Sequence, residues 1–257
     1  MATPVKNRHQ DFHDLPRPLV AMENTLPAGT VTGWHSHPRG QLLYAIKGVM
    51  IVHSEAGSWV VPPSRALWIV AGLRHNVIMS GDVEMRTAYI DAQAAPGLPA
   101  QTCVINVSPL LRELMVEAVR IPLDRDMGPR EERLVGLLLD ELSVSSAIPL
   151  HLPMPYDARL KSLCQSLIDQ PGNPAQARDW AASLGMGERT LHRLFSQETG
   201  MTFARWREQA RLLSALEQLA QGRKGIDVAF DCGYASQSAF AAMFRRHFGV
   251  PPSSFYR

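Results

Sequence analysis

Between residues 19 and 90 the apolar positions fall into short runs broken by Gly and Pro. L-V-A-M, Q-L-L-Y-A-I, V-M-I-V-H, S-W-V-V, A-L-W-I-V, H-N-V-I-M and M-R-T-A-Y-I are separated by P-A-G, H-P-R-G, E-A-G, P-P-S and S-G-D. Short β-rich runs at this spacing, with no helical period, predict an antiparallel sandwich or small barrel. A polar connector over 91–107 leads into a C-V-I-N-V strand, and then the period changes. Ser108 caps a helix whose Leu110, Leu111, Leu114, Met115 and Val119 form one apolar stripe. A second helix, near 130–145, carries Leu134, Leu137, Leu138 and Leu142. Two amphipathic helices need a surface to cover: the barrel, a second copy of the chain, or both, with a homodimer through these helices as the sharper expectation.

The stretch I-P-L-H-L-P-M-P at 148–155 holds three prolines, resists helix formation and predicts an extended inter-domain linker. Helical periodicity resumes at Tyr156, with Leu160, Leu163, Leu167 and Ile168 as a core face and Q-P-G-N-P as its stop. Residues 177–196 then read as two short helices around a tight turn. Ala177, Ala181 and Leu184 share one face, Leu191, Leu194 and Phe195 share another, and Gly185 supplies the turn. A long helix over 203–220 follows, with Phe203, Trp206, Ala210, Leu213, Leu216 and Ala220 at three- and four-residue spacing. The helix pair then recurs. Ile226, Ala229 and Phe230 open a short helix, and Gly233 follows Ala229 as Gly185 follows Ala181. Phe240, Met243 and Phe244 repeat the second face after a turn one residue longer. One such pair is equally an ordinary helical hairpin. Two, joined by one rigid helix, can place paired helices in successive major grooves, which recur about every 34 Å.

An apolar share of 46% with 19% charged residues is that of a globular protein, and 257 residues suffice for two domains. Cys103, Cys164 and Cys232 are isolated, which argues for a reducing compartment and against a disulfide framework or thiolate zinc site. The opening M-A-T-P-V-K-N-R-H-Q lacks the apolar core of a signal peptide, and no apolar run reaches membrane-spanning length, so a cytoplasmic location is expected. The net charge of +2 is uneven: residues 1–155 hold 13 basic and 15 acidic side chains, residues 156–257 hold 13 and 9. The basic half contains the repeated helix pair, which modestly supports a polyanionic partner.

Candidate chemistry lies in both halves. Glu188, Arg189, Thr190, His192 and Arg193 point outward from the second helix of the first pair, a set suited to base edges and phosphates. In the β-rich half, Gly29-x5-His35-x-His37-x3-Gln41-x6-Gly48 is followed by Gly72-x2-His75. Histidines at i and i+2 on a strand share a side, so His35 and His37 can converge on one ion with His75 as a third imidazole. Gln41 offers only a neutral amide oxygen, a weak ligand for a hard divalent ion. The bland expectation is a metal-free ligand pocket formed by His35, His37, Gln41, Tyr44, Trp68 and His75. Trp34, Tyr44, Trp59 and Trp68 are expected as barrel core or pocket wall.

The histidine spacing resembles the cupin family, whose motifs are G-x5-H-x-H-x3,4-E-x6-G and P-x-G-x2-H-x3-N. Here Gln41 stands for the Glu, Val70 for the Pro and Met79 for the Asn. Residues 156–257 resemble the DNA-binding domain of the AraC/XylS family of bacterial transcription regulators. The resemblance is carried by E-T-G-M-T-F-A-R-W-R and by I-D-V-A-F-D-C-G-Y-A-S-Q-S-A-F-A-A-M-F-R-R-H-F-G-V-P-P-S-S-F-Y-R. Together these imply a multidomain α+β chain. An N-terminal cupin-like antiparallel β-barrel (1–100) senses ligand, and a helical dimerisation segment and linker follow (101–155). An all-α DNA-binding domain (156–257) carries helix-turn-helix units near 177–196 and 226–247. The family places recognition helices at 188–198 and 237–248. That puts Arg189, His192 and Arg193 on bases, with Arg193 on guanine. It sets Ser238, Ala241 and Ala242 against bases on the second helix, with Gln237 at its entrance, and Arg207, Arg211, Arg245 and Arg246 on phosphates. The first helix is expected to dominate base reading. The function implied is an effector-controlled transcription regulator and not an enzyme. Its partners are double-stranded promoter DNA, a small-molecule effector, a second copy, and RNA polymerase if it activates; no membrane is involved. No cofactor is required, with a divalent metal on His35, His37 and His75 as the variant. The alternatives are a metal-dependent cupin enzyme with an accessory helical domain, and a constitutive repressor with a vestigial pocket.

Overall fold

The computed structural model describes residues 15–254 except 64, 92, 95, 146, 149 and 249. The expectation resting on the first ten residues, and the final F-Y-R of the quoted motif, lie outside them. The chain divides into two compact units, 1–54 with 59–151, and 55–58 with 152–257.

In the first unit the strands are β1 (Leu19–Leu26), β2 (Gly40–Ser54), β3 (Gly57–Val61), β4 (Arg65–Ile69), β5 (His75–Ile90), β6 (Cys103–Asn106) and β7 (Ala147–Ile148). Their order is β1-β5-β2-β4-β6-β7, with β3 alongside β2. Four of the expected short runs are really two long strands. Q-L-L-Y-A-I and V-M-I-V-H join into β2, and H-N-V-I-M and M-R-T-A-Y-I join into β5. The break between the first two runs is an irregularity within a continuous ladder, whose register shifts between Ala45 and Lys47 and between Lys47 and Val49. Gly48 has φ +80° there, and a Cβ on it would stand 2.3 Å from the Asp82 carbonyl oxygen. Only glycine allows that approach.

Alternation along the strands gives two faces. Leu42, Tyr44, Ala66, Trp68, Ala88 and Ile90 face α1 (Pro109–Ala118) and α2 (Pro129–Ser143), whose Leu111, Leu114, Met115, Leu134, Leu138 and Leu142 cover them. Ser108 caps α1 by accepting the Leu111 N–H at 3.0 Å. Each fully buried leucine here contributes about 1.5–3 kcal/mol of transfer free energy. The expected stripes are only partly used, since Leu110 and Leu137 remain 46% and 44% exposed.

The second unit contains α3 (Ala158–Asp169), α4 (Ala177–Ser183), α5 (Glu188–Thr199), α6 (Phe203–Ala220), α7 (Gly225–Asp231) and α8 (Gln237–Phe248). Its core is built from Phe195, Trp206, Leu212, Leu213, Leu216, Phe240 and Phe244. Helix α6 is buried on more than one side because helix pairs pack on both of its flanks. The Trp206 indole N–H donates to the Pro153 carbonyl at 2.7 Å, so the end of the proline-rich stretch is held in place. On α7 the inward residues are Val228, Ala229 and Cys232, whereas Ile226 and Phe230 are 44% and 56% exposed. In a seven-residue helix both faces are apolar, and periodicity cannot choose between them.

Candidate functional site

The two helix pairs end their first helices in the same way. Gly185 takes φ +65° and Gly233 φ +75°. Met186 N–H donates to Ala181 O (3.0 Å) and Gly185 N–H to Ala182 O (3.1 Å). Tyr234 N–H donates to Ala229 O and Gly233 N–H to Phe230 O, both 2.9 Å. These are matching left-handed caps that satisfy otherwise orphaned carbonyls and turn the chain sharply into the next helix. The spacing of Ala181–Gly185 and Ala229–Gly233 is thus a hydrogen-bond pattern written twice.

On α5, Leu191 and Phe195 are buried, while Glu188, Arg189, Thr190, His192 and Arg193 are all exposed. His192 Nε2 lies 3.6 Å from Glu188 Oε1, and Arg193 Nη1 donates to Gln197 Oε1 at 2.9 Å. On α8, Gln237, Ser238, Ala242, Arg245 and Arg246 are exposed and Ala241 is half-buried. Ser236 Oγ accepts the Ala239 N–H at 3.2 Å and lies 3.0 Å from Ser238 Oγ. Arg246 pairs with Glu208 on α6. Burial lowers the His247 pKa, against the pull of the same Glu208.

Arg207 and Arg211, expected on phosphates, are half-buried and engaged inside the unit. Arg207 donates to the carbonyls of Ala175 (2.7 Å) and Asn173, and Arg211 Nε to Pro171 O (2.9 Å). The Arg211 guanidinium also lies 6.0 Å from the centre of the Tyr234 ring. Burial, then the neighbouring Arg211, lowers the Arg207 pKa. Both arginines clamp the 171–175 loop onto α6, a structural role that the sequence did not announce. The loop in turn meets the second turn: a Cβ on Gly172 would stand 2.6 Å from Asp231 O. Between α5 and α8 an open cleft of about 780 Å³ is lined by Glu188, His192, Arg207, Glu208, Tyr234 and Arg246, among others.

In the first unit, strand parity decides which polar side chains gather beside the histidines. Gln41 stands opposite Tyr89, and Leu43 opposite Thr87. Gln41 Nε2 donates to Thr87 Oγ1 and to Tyr89 Oη, both at 3.2 Å, and all three residues are buried. Burial pushes the Tyr89 phenol well above its ordinary pKa, so it stays protonated. The His37 ring meets the Tyr89 ring edge-on at 4.8 Å, which joins this group to the histidines. Centroids of His35, His37 and His75 lie 4.9, 4.4 and 5.6 Å apart, and one ligand atom from each falls within 4.8 Å of the others. An antiparallel bridge between His35 and His75 fixes their approach.

Tyr44 and Trp68, expected in the same pocket, lie outside this group. Being one residue out of phase with Gln41 and Ile69, they lie under α1 and α2. The Trp68 indole donates to Pro99 O at 2.8 Å. Trp34 is not core either: it is 50% exposed, with the Arg74 guanidinium 5.7 Å from its ring centre. Trp59 is buried and stacked on His151. Thr87 and Tyr89 were missed by the sequence reading; the signal was the alternation T-A-Y, which puts both on one face.

The imidazoles fit a divalent transition-metal ion. His35 Nδ1 bonds to Gly33 O (2.8 Å) and His75 Nδ1 to Leu73 O (2.9 Å). A carbonyl only accepts, so the proton sits on Nδ1 and Nε2 carries the lone pair, the outer arrangement of ligating histidines. Nitrogens at about 2.1 Å from one ion in tetrahedral geometry stand about 3.4 Å apart, so only a small ring closure is needed.

A family model described as an AraC-like ligand binding domain matches residues 23–179, and a helix-turn-helix domain model matches 180–257. The chain is 32% identical over 221 residues to the HTH-type transcriptional regulator NimR of Escherichia coli, covering 86% of this chain and 81% of NimR. It is 35% identical over 97 residues to the HTH-type transcriptional activator RhaS of Klebsiella pneumoniae, covering 37% of this chain and 35% of RhaS. Among solved structures, fatty-acid-bound ToxT of Vibrio cholerae aligns over 93% of this chain and 94% of its own, at 12% identity and a TM-score of 0.39.

Proposed function

The chain belongs to the AraC/XylS family of transcription regulators, and from that premise we propose how its two units divide the work. It is an effector-controlled DNA-binding regulator of a non-enzymatic family. The α5 helix reads bases through Arg189, His192 and Arg193, with Arg193 on guanine. The α8 helix adds Gln237, Ser238 and a methyl contact from Ala242, while Arg245 and Arg246 hold phosphates. Glu188 and Thr190 serve at the edge of the first contact. The observation that carries this is the repeated left-handed cap, which presents two solvent-facing helices of unequal chemistry around one rigid α6.

The chamber of His35, His37, His75, Gln41, Thr87 and Tyr89 is the effector site, and the three imidazoles would hold a divalent ion there. Leu110 and Leu137, left exposed on α1 and α2, form the seam of a homodimer. Among the described residues no helix is long and apolar enough to cross a membrane. Promoter reading places the protein in the cytoplasm, with RNA polymerase as a further partner at any promoter it activates.

The test is footprinting on DNA upstream of its own and neighbouring genes, followed by Arg193→Ala. A bidentate guanine contact is worth about 1–3 kcal/mol, so the cognate-to-scrambled affinity ratio falls about tenfold or more. An unchanged ratio removes Arg193 from base reading.

A further inference from the structure

We propose that the effector is a small anionic oxygen chelator, such as a 2-hydroxycarboxylate, bound through a divalent metal ion on His35, His37 and His75. This rests on the chamber being the effector site, and it names the chemistry the chamber selects.

The first observation is charge. The cluster able to hold an ion consists of three histidines, with no carboxylate or thiolate among them. The Nδ1 bonds to Gly33 O and Leu73 O leave Nε2 of His35 and His75 as the ligating atom, and an imidazole that ligates an ion brings no charge to it. At the nearby strand position Gln41 brings an amide, which is also neutral. A dication there keeps its full charge. His37 and His75 are only 6% and 1% exposed, so that charge sits largely out of water, where an uncompensated ion is costly. An anionic ligand in the open coordination position removes the cost. An anion of any other class, without the ion, would face imidazole Nε2 lone pairs instead.

The second observation is the polar wall. Gln41 Oε1 is buried and has no hydrogen-bond partner among the described residues, although its Nε2 is engaged by Thr87 and Tyr89. A buried acceptor left without a donor is costly, so the occupant should bring one. A ligand that combines anionic oxygen with an adjacent hydroxyl meets both demands: oxygen on the ion, hydroxyl donating to Gln41 Oε1. A neutral apolar effector meets neither.

The experiment uses the purified full-length protein loaded with Co2+, whose visible spectrum reports its ligands, and glycolate as the probe. One Co2+ per chain is expected by elemental analysis. Glycolate should shift the cobalt bands and bind the loaded protein at least tenfold more tightly than the metal-free protein. Glycolamide, neutral and nearly the same size, should bind at least tenfold more weakly than glycolate. Gln41→Glu should keep the metal and lose glycolate, because its carboxylate supplies the missing charge and competes for the open position. Glycolate binding that ignores the metal, or equals that of glycolamide, overturns the proposal, as does a protein that takes up no Co2+. Should Gln41→Glu fail to fold, the glycolate-to-glycolamide ratio on the wild-type protein decides alone. None of these results touches the DNA footprint, so failure of the chelator proposal is distinguishable from failure of the regulator reading.

Discussion

Gly185 and Gly233 occupy the same place in the two helix pairs, yet alanine should cost very different amounts at the two. Both take a left-handed conformation, φ +65° and φ +75°. That conformation costs a side-chain-bearing residue about 1–2 kcal/mol, and the stiffer unfolded chain returns about 0.4–1. Around Gly185 a new Cβ meets nothing within 4 Å. The net cost of Gly185→Ala is therefore about 0.5–1 kcal/mol. At Gly233 the Cβ would stand 2.8 Å from Arg211 Nη2 and 3.0 Å from the Gly172 Cα. Arg211 cannot simply swing away, because its Nε is bonded to Pro171 O. Gly172 is backbone, already pressed against Asp231. Overpacking of this kind adds about 1–3 kcal/mol, for a total of about 1.5–4. Urea unfolding followed by helical circular dichroism measures both variants in the full chain. With a slope near 2 kcal/mol per molar urea, the Gly233→Ala midpoint should fall about 0.5–1.5 M below that of Gly185→Ala. Midpoints that coincide, or the reverse order, would refute the interlock between the 171–175 loop and the second turn.

Two further outcomes are expected. Leu137→Asp, on the exposed side of α2, should halve the mass seen in analytical ultracentrifugation while leaving the unfolding midpoint of a monomer within about 0.5 kcal/mol, as for other surface changes; an unchanged mass removes the helix seam. Asp157 caps α3, and hydrogen bonds from the Arg159 side chain, then from the N–H of Arg159 and of Leu160, hold its carboxyl down at about 2. A depressed carboxylate stabilises fully above its ordinary pKa of 3.8 and loses that contribution as pH falls toward 2. Protection of the amides at the start of α3, taken as exchange relative to the intrinsic rate at each pH, should therefore fall between pH 4 and pH 2 in the wild type and vary less in Asp157→Asn. Parallel profiles would discount the cap.

Much of the architecture was legible in local pattern, because the signals that carried it act over a few residues. A left-handed cap needs a glycine at a set distance from a small residue, so Ala181–Gly185 and Ala229–Gly233 announced the same turn twice. Two histidines at i and i+2 on a strand share a side whatever surrounds them, and His35 and His37 do converge with His75. What only the tertiary structure decided is which side faces what. Alternation says that Gln41 and Tyr44 point oppositely, but α1 and α2 choose the side they cover, and so Tyr44 and Trp68 became core while Thr87 and Tyr89 entered the chamber. Q-L-L-Y-A-I and V-M-I-V-H read locally as two strands, and the long partner β5 makes them one, with an irregularity at Gly48. Arg207 and Arg211 read as surface cations, because the carbonyls that hold them lie more than thirty residues earlier. Local sequence sets conformation and periodicity over a turn or a pleat. The identity of the partner across that face depends on contacts far apart in the chain, and these only the folded structure brings together.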